Sequence, residues 1–147
     1  MNIDRFFNGL NISAFGLSAQ RKKMNAIASN IANAETTRTE QGGPYVRKVV
    51  LMHEQSPENF ASALNEESLG LQAPVSGVTA EETTDPSPFK MVYDPSHPDA
   101  DEQGYVQMPN VNVVNEMVDM ISATRSYEAN VTAINAAKSM AKDSLEI

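Results

Sequence analysis

The sequence predicts a mainly α-helical chain, with long N- and C-terminal helices forming an antiparallel coiled-coil-like pair and a short β-hairpin unit with loops between them. Three observations support this fold class. All eight prolines lie between Pro44 and Pro109, so long uninterrupted helices can form only at the two ends. Both ends carry apolar residues at coiled-coil spacing. The middle contains short β-branched segments bounded by Gly and Pro. The predicted domains are 1–33, 34–109 and 110–147.

The first helix is expected over residues ~3–33, because every seventh residue from Ile3 is apolar. Gly9 and Gly16 each weaken a helix by about 1 kcal/mol relative to Ala. Residues 9–16 are therefore predicted to be the least stable part of the first helix. We expect the seam of this helix to pack against partner helices. Its assembly residues are Leu10, Leu17, Met24, Ile27 and Ile31.

The C-terminal helix is expected over residues 110–147, with Asn110 or Asn112 as its N-cap. Glu116 and Asp119 suit the positive end of its dipole. Steps of four and three from Val113 give ten seam positions, of which only Thr124 and Lys138 are polar. The residues of this helix expected at assembly interfaces are Val113, Met117, Met120, Ile121, Tyr127, Val131 and Ile134.

Apolar residues beside the two seams have no evident cover within one chain. A pair of helices buries one stripe on each member, so the neighbouring apolar side chains should stay exposed and mark an interface. These are Phe7, Ile12, Val114, Val118 and Ile121. The alternative is that both helices fold against the middle segment as an ordinary α+β domain.

The middle segment is expected to contain four short strands and two acidic loops. The strands are predicted at Tyr45–Met52, Ala73–Ala80, Phe89–Tyr93 and Gly104–Met108. The loops, Glu54–Glu67 and Glu81–Pro88, are rich in acidic residues and poor in large apolar ones, which is typical of mobile segments.

Composition excludes several classes of function. The chain has 147 residues, lacks cysteine, and carries a net charge of −8. The net charge is +4 over residues 1–48, −10 over 49–109 and −2 over 110–147. This balance argues against a nucleic-acid partner. We expect no membrane insertion, because no run reaches the ~18 apolar residues of a spanning helix, and no cleaved signal peptide, because Asp4 and Arg5 interrupt the N-terminus.

The best candidate for chemistry is the acidic stretch from Asp94 to Gly104, which contains His97. Its alternating oxygen ligands faintly resemble a calcium loop, but Gln103 and Asn110 stand where that loop needs ligands. We interpret the stretch as a solvated acidic turn. A small metal-dependent hydrolase using His97 is the enzymatic alternative. No catalytic residue, cofactor or metal is predicted, and the chain is not expected to be an enzyme.

Motifs at both ends resemble those of bacterial flagellar axial proteins. Residues 29–39 (SNIANAETTRT) close the first helix, and residues 40–47 (EQGGPYVR) are similar to the proximal-rod members. Residues 93–101 (YDPSHPDAD), 104–106 (GYV) and 109–130 (PNVNVVNEMVDMISATRSYEAN) are similar to flagellar basal-body rod proteins. Glu35 and Phe15 depart from the family's usual Asn and small residue.

The resemblance implies a structural subunit of the periplasmic rod of the basal body. Such subunits are exported unfolded by the flagellar type III machinery, without a cleaved signal peptide. They polymerise with copies of themselves and with other rod proteins into a shaft that transmits torque, with the terminal helices as an inner coiled-coil layer. The motif residues are Asn30, Asn33, Arg125, Tyr127, Glu128 and Asn130. We expect the two Asn to bond the turn after the first helix and the other four to contact neighbours; the alternative for all six is local capping or exposure to solvent. The alternative is a secreted coiled-coil adaptor or effector that binds a partner helix.

Overall fold

The computed structural model describes residues 3–40, 42–55 and 77–145. Within these ranges the fold is mainly helical with a small β part, as predicted. The elements in chain order are α1 (Ile3–Ala32), β1 (Lys48–Gln55), β2 (Gly77–Thr84), β3 (Lys90–Tyr93), β4 (Tyr105–Met108) and α2 (Val113–Leu145). β1 pairs with β2 and β3 pairs with β4, in two separate two-stranded sheets.

The two helices agree closely with the predicted ranges. α1 has 30 residues and ends in a turn held by Asn33, which donates from its backbone N and from Nδ2 to the carbonyl of Ser29, at 3.1 and 2.8 Å. α2 has 33 residues. Asn112 is its N-cap, because its Oδ1 accepts from the backbone N–H groups of Val114 and Asn115 at 3.1 and 3.2 Å. Neither helix has a stretch both apolar and long enough to cross a membrane, over the residues described.

The first two strands extend further along the chain than predicted. β1 begins at Lys48 and continues through Glu54, so the predicted loop beginning at Glu54 is wrong at that end. β2 continues through residues 81–84, which the prediction placed in the acidic loop Glu81–Pro88. These polar residues are tolerated because they lie on an exposed strand, where Lys48 Nζ is 2.7 Å from Glu82 Oε1. Residues 73–76 of the predicted second strand and 56–67 of the first loop lie outside the described residues.

The third and fourth predicted strands are confirmed to within one residue. β3 and β4 form an antiparallel hairpin in which Val92 is opposite Val106, and Tyr93 is opposite Tyr105. Val106 is 2% exposed, so the Val92–Val106 face points inward. Gly104 ends the connecting turn with φ +81°, and a Cβ there would lie 2.9 Å from the ring of Tyr93. This position therefore requires glycine.

The chain divides into two compact units, and all four of α1, β1, β2 and α2 pass from one to the other. Unit 1 comprises residues 1–21, 52–81 and 125–147, and unit 2 comprises 22–51 and 82–124. In unit 1, Ala19 and Ala80 are buried. In unit 2, the helices run antiparallel, because Asn30 contacts Glu116 whereas the earlier Met24 accepts a weak bond from the later Thr124.

Candidate functional site

Unit 2 contains a buried polar cluster with Asn30 of α1 at its centre. Asn30 is 1% exposed, and its Nδ2 donates to the carbonyl of Lys48 at 2.8 Å and to Oε2 of Glu116 at 3.0 Å. Its Oδ1 accepts from the backbone N of Lys48 at 2.8 Å and from the hydroxyl of Tyr45 at 3.0 Å. One amide thus satisfies both backbone groups of Lys48 at the start of β1, so a side chain of α1 positions this strand.

Arg47 joins two carboxylates within the same cluster. Its Nε donates to Oε1 of Glu116 at 2.7 Å, and its Nη1 donates to Oδ2 of Asp85 at 3.1 Å. Glu116 is 1% exposed, and both of its oxygens accept a bond, one from Arg47 and one from Asn30. A buried carboxylate is stable only when it is paired and hydrogen-bonded in this way.

The side chain of Asn110, which bonds to backbone groups of other segments, completes the cluster. Its Oδ1 accepts from the backbone N of Arg47 at 3.0 Å, and its Nδ2 donates to the carbonyl of Ser87 at 3.2 Å. The backbone N of Asp85 donates to the carbonyl of Arg47 at 2.8 Å. The cluster therefore connects the end of α1, the start of β1, the segment after β2 and the beginning of α2. Its members are Asn30, Tyr45, Arg47, Asp85, Asn110 and Glu116.

Hydrogen bonds in the cluster shift the pKa values of Arg47 and Asp85 towards their charged forms. Burial disfavours the guanidinium of Arg47, but hydrogen bonds to Glu116 and Asp85 outweigh that cost and raise its pKa. The pKa of Asp85 is lowered, first by hydrogen bonds from the hydroxyl and backbone of Ser87 and then by Arg47. Hydrogen bonds thus favour the charged forms of Arg47 and Asp85, which suits a structural role for this cluster.

The first turns of α2 also carry an exposed apolar surface, on the side of the helix away from Glu116. Four side chains at helical spacing of three and four residues are each more than half exposed. Contiguous exposed apolar surface of this kind usually marks an interface. We call it the α2 stripe; its residues are Val114, Met117, Val118 and Ile121.

The structure places the predicted seam residues in three environments. Ile27 is buried within the chain. Three are exposed, namely Val113, Met117 and Ile121. The others are half-buried: Leu10, Leu17, Met24, Ile31, Met120, Tyr127, Val131 and Ile134. On α2 the buried positions are instead Glu116 and Ala123, one residue before the predicted Met117 and Thr124. Of the expected exposed residues, Ile12, Val114, Val118 and Ile121 are exposed, and the side chain of Phe7 lies outside the described residues.

The motif residues are distributed between the two units. Asn30 lies in the polar cluster rather than in the turn after α1, where Asn33 alone of the pair makes its bonds. Asn130 packs within unit 1 against Gly16, where an added Cβ would meet its Nδ2 at 2.9 Å. Tyr127 is half-buried, and Arg125 and Glu128 are exposed.

The acidic stretch between β3 and β4 is a hydrogen-bonded turn. Asp94 Oδ1 accepts from the backbone and hydroxyl of Ser96 at 3.1 and 2.6 Å, which lowers the pKa of Asp94. Asp101 Oδ1 accepts from the backbone N of Tyr105 at 2.8 Å, and His97 Nδ1 accepts from that of Asp99 at 3.1 Å. Within the described ranges, no three His, Asp or Glu side chains form a group that could hold a metal.

Sequence reasoning missed most of the polar cluster. It singled out Asn30, treated Asn110 as a possible cap, and took Glu116 only as a charge suited to the helix dipole. Arg47 and Asp85 received no role. One available signal was that Glu116 lies between the apolar Val113 and Met120 of the predicted seam, where an unpaired charge would be costly.

Two family models match the chain at its ends. Residues 10–38 match "Flagella basal body rod protein", and residues 102–147 match "Flagellar basal body rod FlgEFG protein C-terminal". Both matched ranges contain part of the polar cluster, Asn30 in one and Asn110 with Glu116 in the other. The fold and these matches define the class as flagellar rod proteins.

Similarity to characterised relatives extends over nearly the whole chain. It is 49% identical to the flagellar basal-body rod protein FlgC of Bacillus subtilis, over 96% of this chain and 97% of that protein. It is 42% identical to FlgC of Borreliella burgdorferi, over 96% of each chain, and 42% identical to FlgC of Aquifex aeolicus, over 95% of each. The chain belongs to the FlgC family of flagellar basal-body rod proteins.

Proposed function

We propose that this chain is a structural, non-enzymatic subunit of the proximal rod of the bacterial flagellum, and that it transmits torque within the periplasm. Membership of the FlgC family over nearly its full length supports the role of rod subunit. The observation that carries the assembly mechanism is the α2 stripe, because four apolar side chains on one helix face are each more than half exposed, and such a surface usually marks an interface.

Assembly proceeds through the two terminal helices, with 1–33 and 110–147 as the axial domains and 34–109 as an insertion between them. The antiparallel contacts of α1 and α2 in unit 2 support a coiled-coil-like pair. Met117 and Ile121 then contact neighbouring subunits, which are other copies of this chain and other rod proteins. The half-buried seam residues present their remaining surface to the same neighbours.

The resemblance to axial proteins supports export by the flagellar type III machinery without a cleaved signal peptide. The absence of cysteine suits a chain that passes through a channel unfolded and folds only afterwards. The acidic net charge of −8 supports partners other than nucleic acid. Rod assembly also requires no insertion into a membrane.

The test is a double substitution in the α2 stripe, Met117→Asp with Ile121→Asp. Both side chains are exposed, so folding of the single chain should be little changed, whereas the two charges should block burial against a neighbour. We expect loss of swimming and of intact rods, with secretion of the chain retained. Wild-type swimming in the double variant would overturn the proposal.

The matched control is Asn135→Asp with Ser139→Asp, which adds two charges at the same spacing to exposed polar positions of α2. We expect these cells to swim. Urea unfolding followed by circular dichroism should give similar midpoints for both variants, which separates an assembly defect from a folding defect.

A further inference from the structure

The outward face of the β3–β4 hairpin is an exposed aromatic surface that the contacts described above leave uncovered. Tyr93 is 64% exposed and Tyr105 is 41% exposed, and their ring centroids lie 5.3 Å apart at an interplanar angle of 65°. Met91 continues the same face and is about half exposed. Exposed tyrosine pairs are typical of binding surfaces. We call these three residues the hairpin face.

The surroundings of the hairpin face are mainly anionic, with Lys90 at the start of β3 as a nearby cation. The chain has no Lys or Arg from Met91 to Thr124, whereas the turn joining β3 and β4 holds Asp94, Asp99, Asp101 and Glu102. A cleft of about 340 Å³ lies beside the face, lined by Asp99, Asp101 and Tyr105 among others, with Arg38 as its cation. An aromatic face with an acidic rim suits a partner with long cationic side chains, which stack their stems on rings while pairing with carboxylates.

The complementary surface lies on α1 of the same sequence. Arg21, Lys22 and Lys23 are consecutive, and the chain has no Asp or Glu between Arg5 and Ala34. Arg21 and Lys22 are exposed. We call these three residues the basic run. Helical polymers of identical copies use heterologous interfaces, in which one patch meets a different patch on the next copy.

We propose that the basic run of one copy docks on the hairpin face of a neighbouring copy, with Arg21 near Glu102. This inference rests on the proposed rod function, since it requires copies of the chain to assemble. Arg and Lys stems cover the tyrosine rings, and the carboxylates of the turn set the register of the two subunits.

The first test is disulfide cross-linking, which is clean because the chain has no native cysteine. Full-length Arg21→Cys and Glu102→Cys chains are co-expressed as the only copies in one strain, and isolated basal bodies are oxidised. We expect a heterodimer that contains one chain of each kind. Pairing Arg21→Cys with Asn135→Cys is the control and should give no such product. Absence of the Arg21–Glu102 product, with the chains present in basal bodies, overturns this inference alone. Absence of the unsubstituted wild-type chain from isolated basal bodies overturns the rod function.

The second test exchanges the charges. Arg21→Glu with Lys22→Glu, or Glu102→Lys with Gln103→Lys, should each lower the number of assembled rods roughly tenfold or more, because like charges then face each other. A chain that carries all four substitutions should recover most of that loss, since every interface regains opposite charges. Failure of the combined variant to recover, while each pair alone is defective, contradicts the predicted contact.

Discussion

Asn30 of α1 donates from Nδ2 to Oε2 of Glu116 of α2 at 3.0 Å, and both side chains are 1% exposed. The two residues are 86 positions apart in the chain. Their contact therefore links the first helix to the last inside unit 2. Because Asn30 also binds both backbone groups of Lys48, the same amide fixes the start of β1. The helices and the β part of this unit thus share one set of buried hydrogen bonds.

Asn30→Asp is predicted to destabilise unit 2 strongly. The substitution removes the amide donor to Glu116 and places a second carboxylate beside a buried one, at a cost of about 3 kcal/mol or more. Urea unfolding followed by circular dichroism should show a lowered midpoint. Asn25→Asp, at an exposed position on the same helix, is the control and should change the midpoint little. Equal midpoints for the two variants would show that the buried amide contributes no stability.

The lowered pKa values of Asp85 and Asp94 predict that stability falls in acid. In the folded chain the pKa of each carboxylate lies below its ordinary value of 3.8. Its contribution to the free energy of unfolding is therefore fully present above pH 3.8 and is lost as the pH falls through the folded pKa. The hydrogen bond to Glu82 raises the pKa of Lys48. The stability that Lys48 contributes is therefore fully present below its ordinary pKa of 10.5 and is lost only in strong alkali. Stability should therefore be level from about pH 5 to 9 with respect to these groups.

Asp85→Asn tests the acidic side of this profile. The difference in unfolding midpoint between wild type and Asp85→Asn should shrink as the pH falls from about 5 to 2, because wild type then loses the same charge. Thr83→Ala, at an exposed uncharged residue of β2, is the control and should run parallel to wild type. A constant difference across this range would remove Asp85 from the acid response.

The helices and hairpin were predictable from the sequence because each depends on local signals. Proline confinement and apolar spacing set α1 and α2, and the capping role of Asn112 follows from its side chain. The ends of β1 and β2 were not predictable from the sequence. Their polar residues are stabilised by pairing between strands, which local composition does not reveal.

The faces of the helices were harder to predict for a related reason. The spacing of large apolar residues was used to predict which face of each helix is buried. The buried positions of unit 2 instead include Ala26, Ala123 and the paired Glu116. Small residues let helices approach closely, and Glu116 is buried only because Arg47 and Asn30 come from distant parts of the chain. Such partners emerge only from the tertiary structure.

Gly9 and Gly16 are predicted to respond differently to alanine, although both lie within α1. A Cβ at Gly9 would meet no heavy atom within 4 Å, so Gly9→Ala should stabilise the helix by about 1 kcal/mol. At Gly16 the added Cβ would lie 2.9 Å from Nδ2 of Asn130. That side chain must move, so the helical gain should be largely cancelled. Equal gains in the two urea midpoints would mean that Asn130 moves aside without cost.

Phe15 and Gly77 are predicted to be energetically coupled within unit 1. A Cβ at Gly77 would lie 2.8 Å from Cδ2 and 2.9 Å from Cε2 of the Phe15 ring. The glycine therefore makes room for the large aromatic ring of Phe15. Gly77→Ala should destabilise by about 1–3 kcal/mol, because Gly77 is buried and the ring must shift. In a Phe15→Ala background the same change should cost much less, which a double-mutant cycle by urea unfolding measures. Thr79→Ala, at an exposed residue of β2, is the control and should show no coupling to Phe15. Additive effects of Phe15→Ala and Gly77→Ala would show that the close contact is relieved elsewhere.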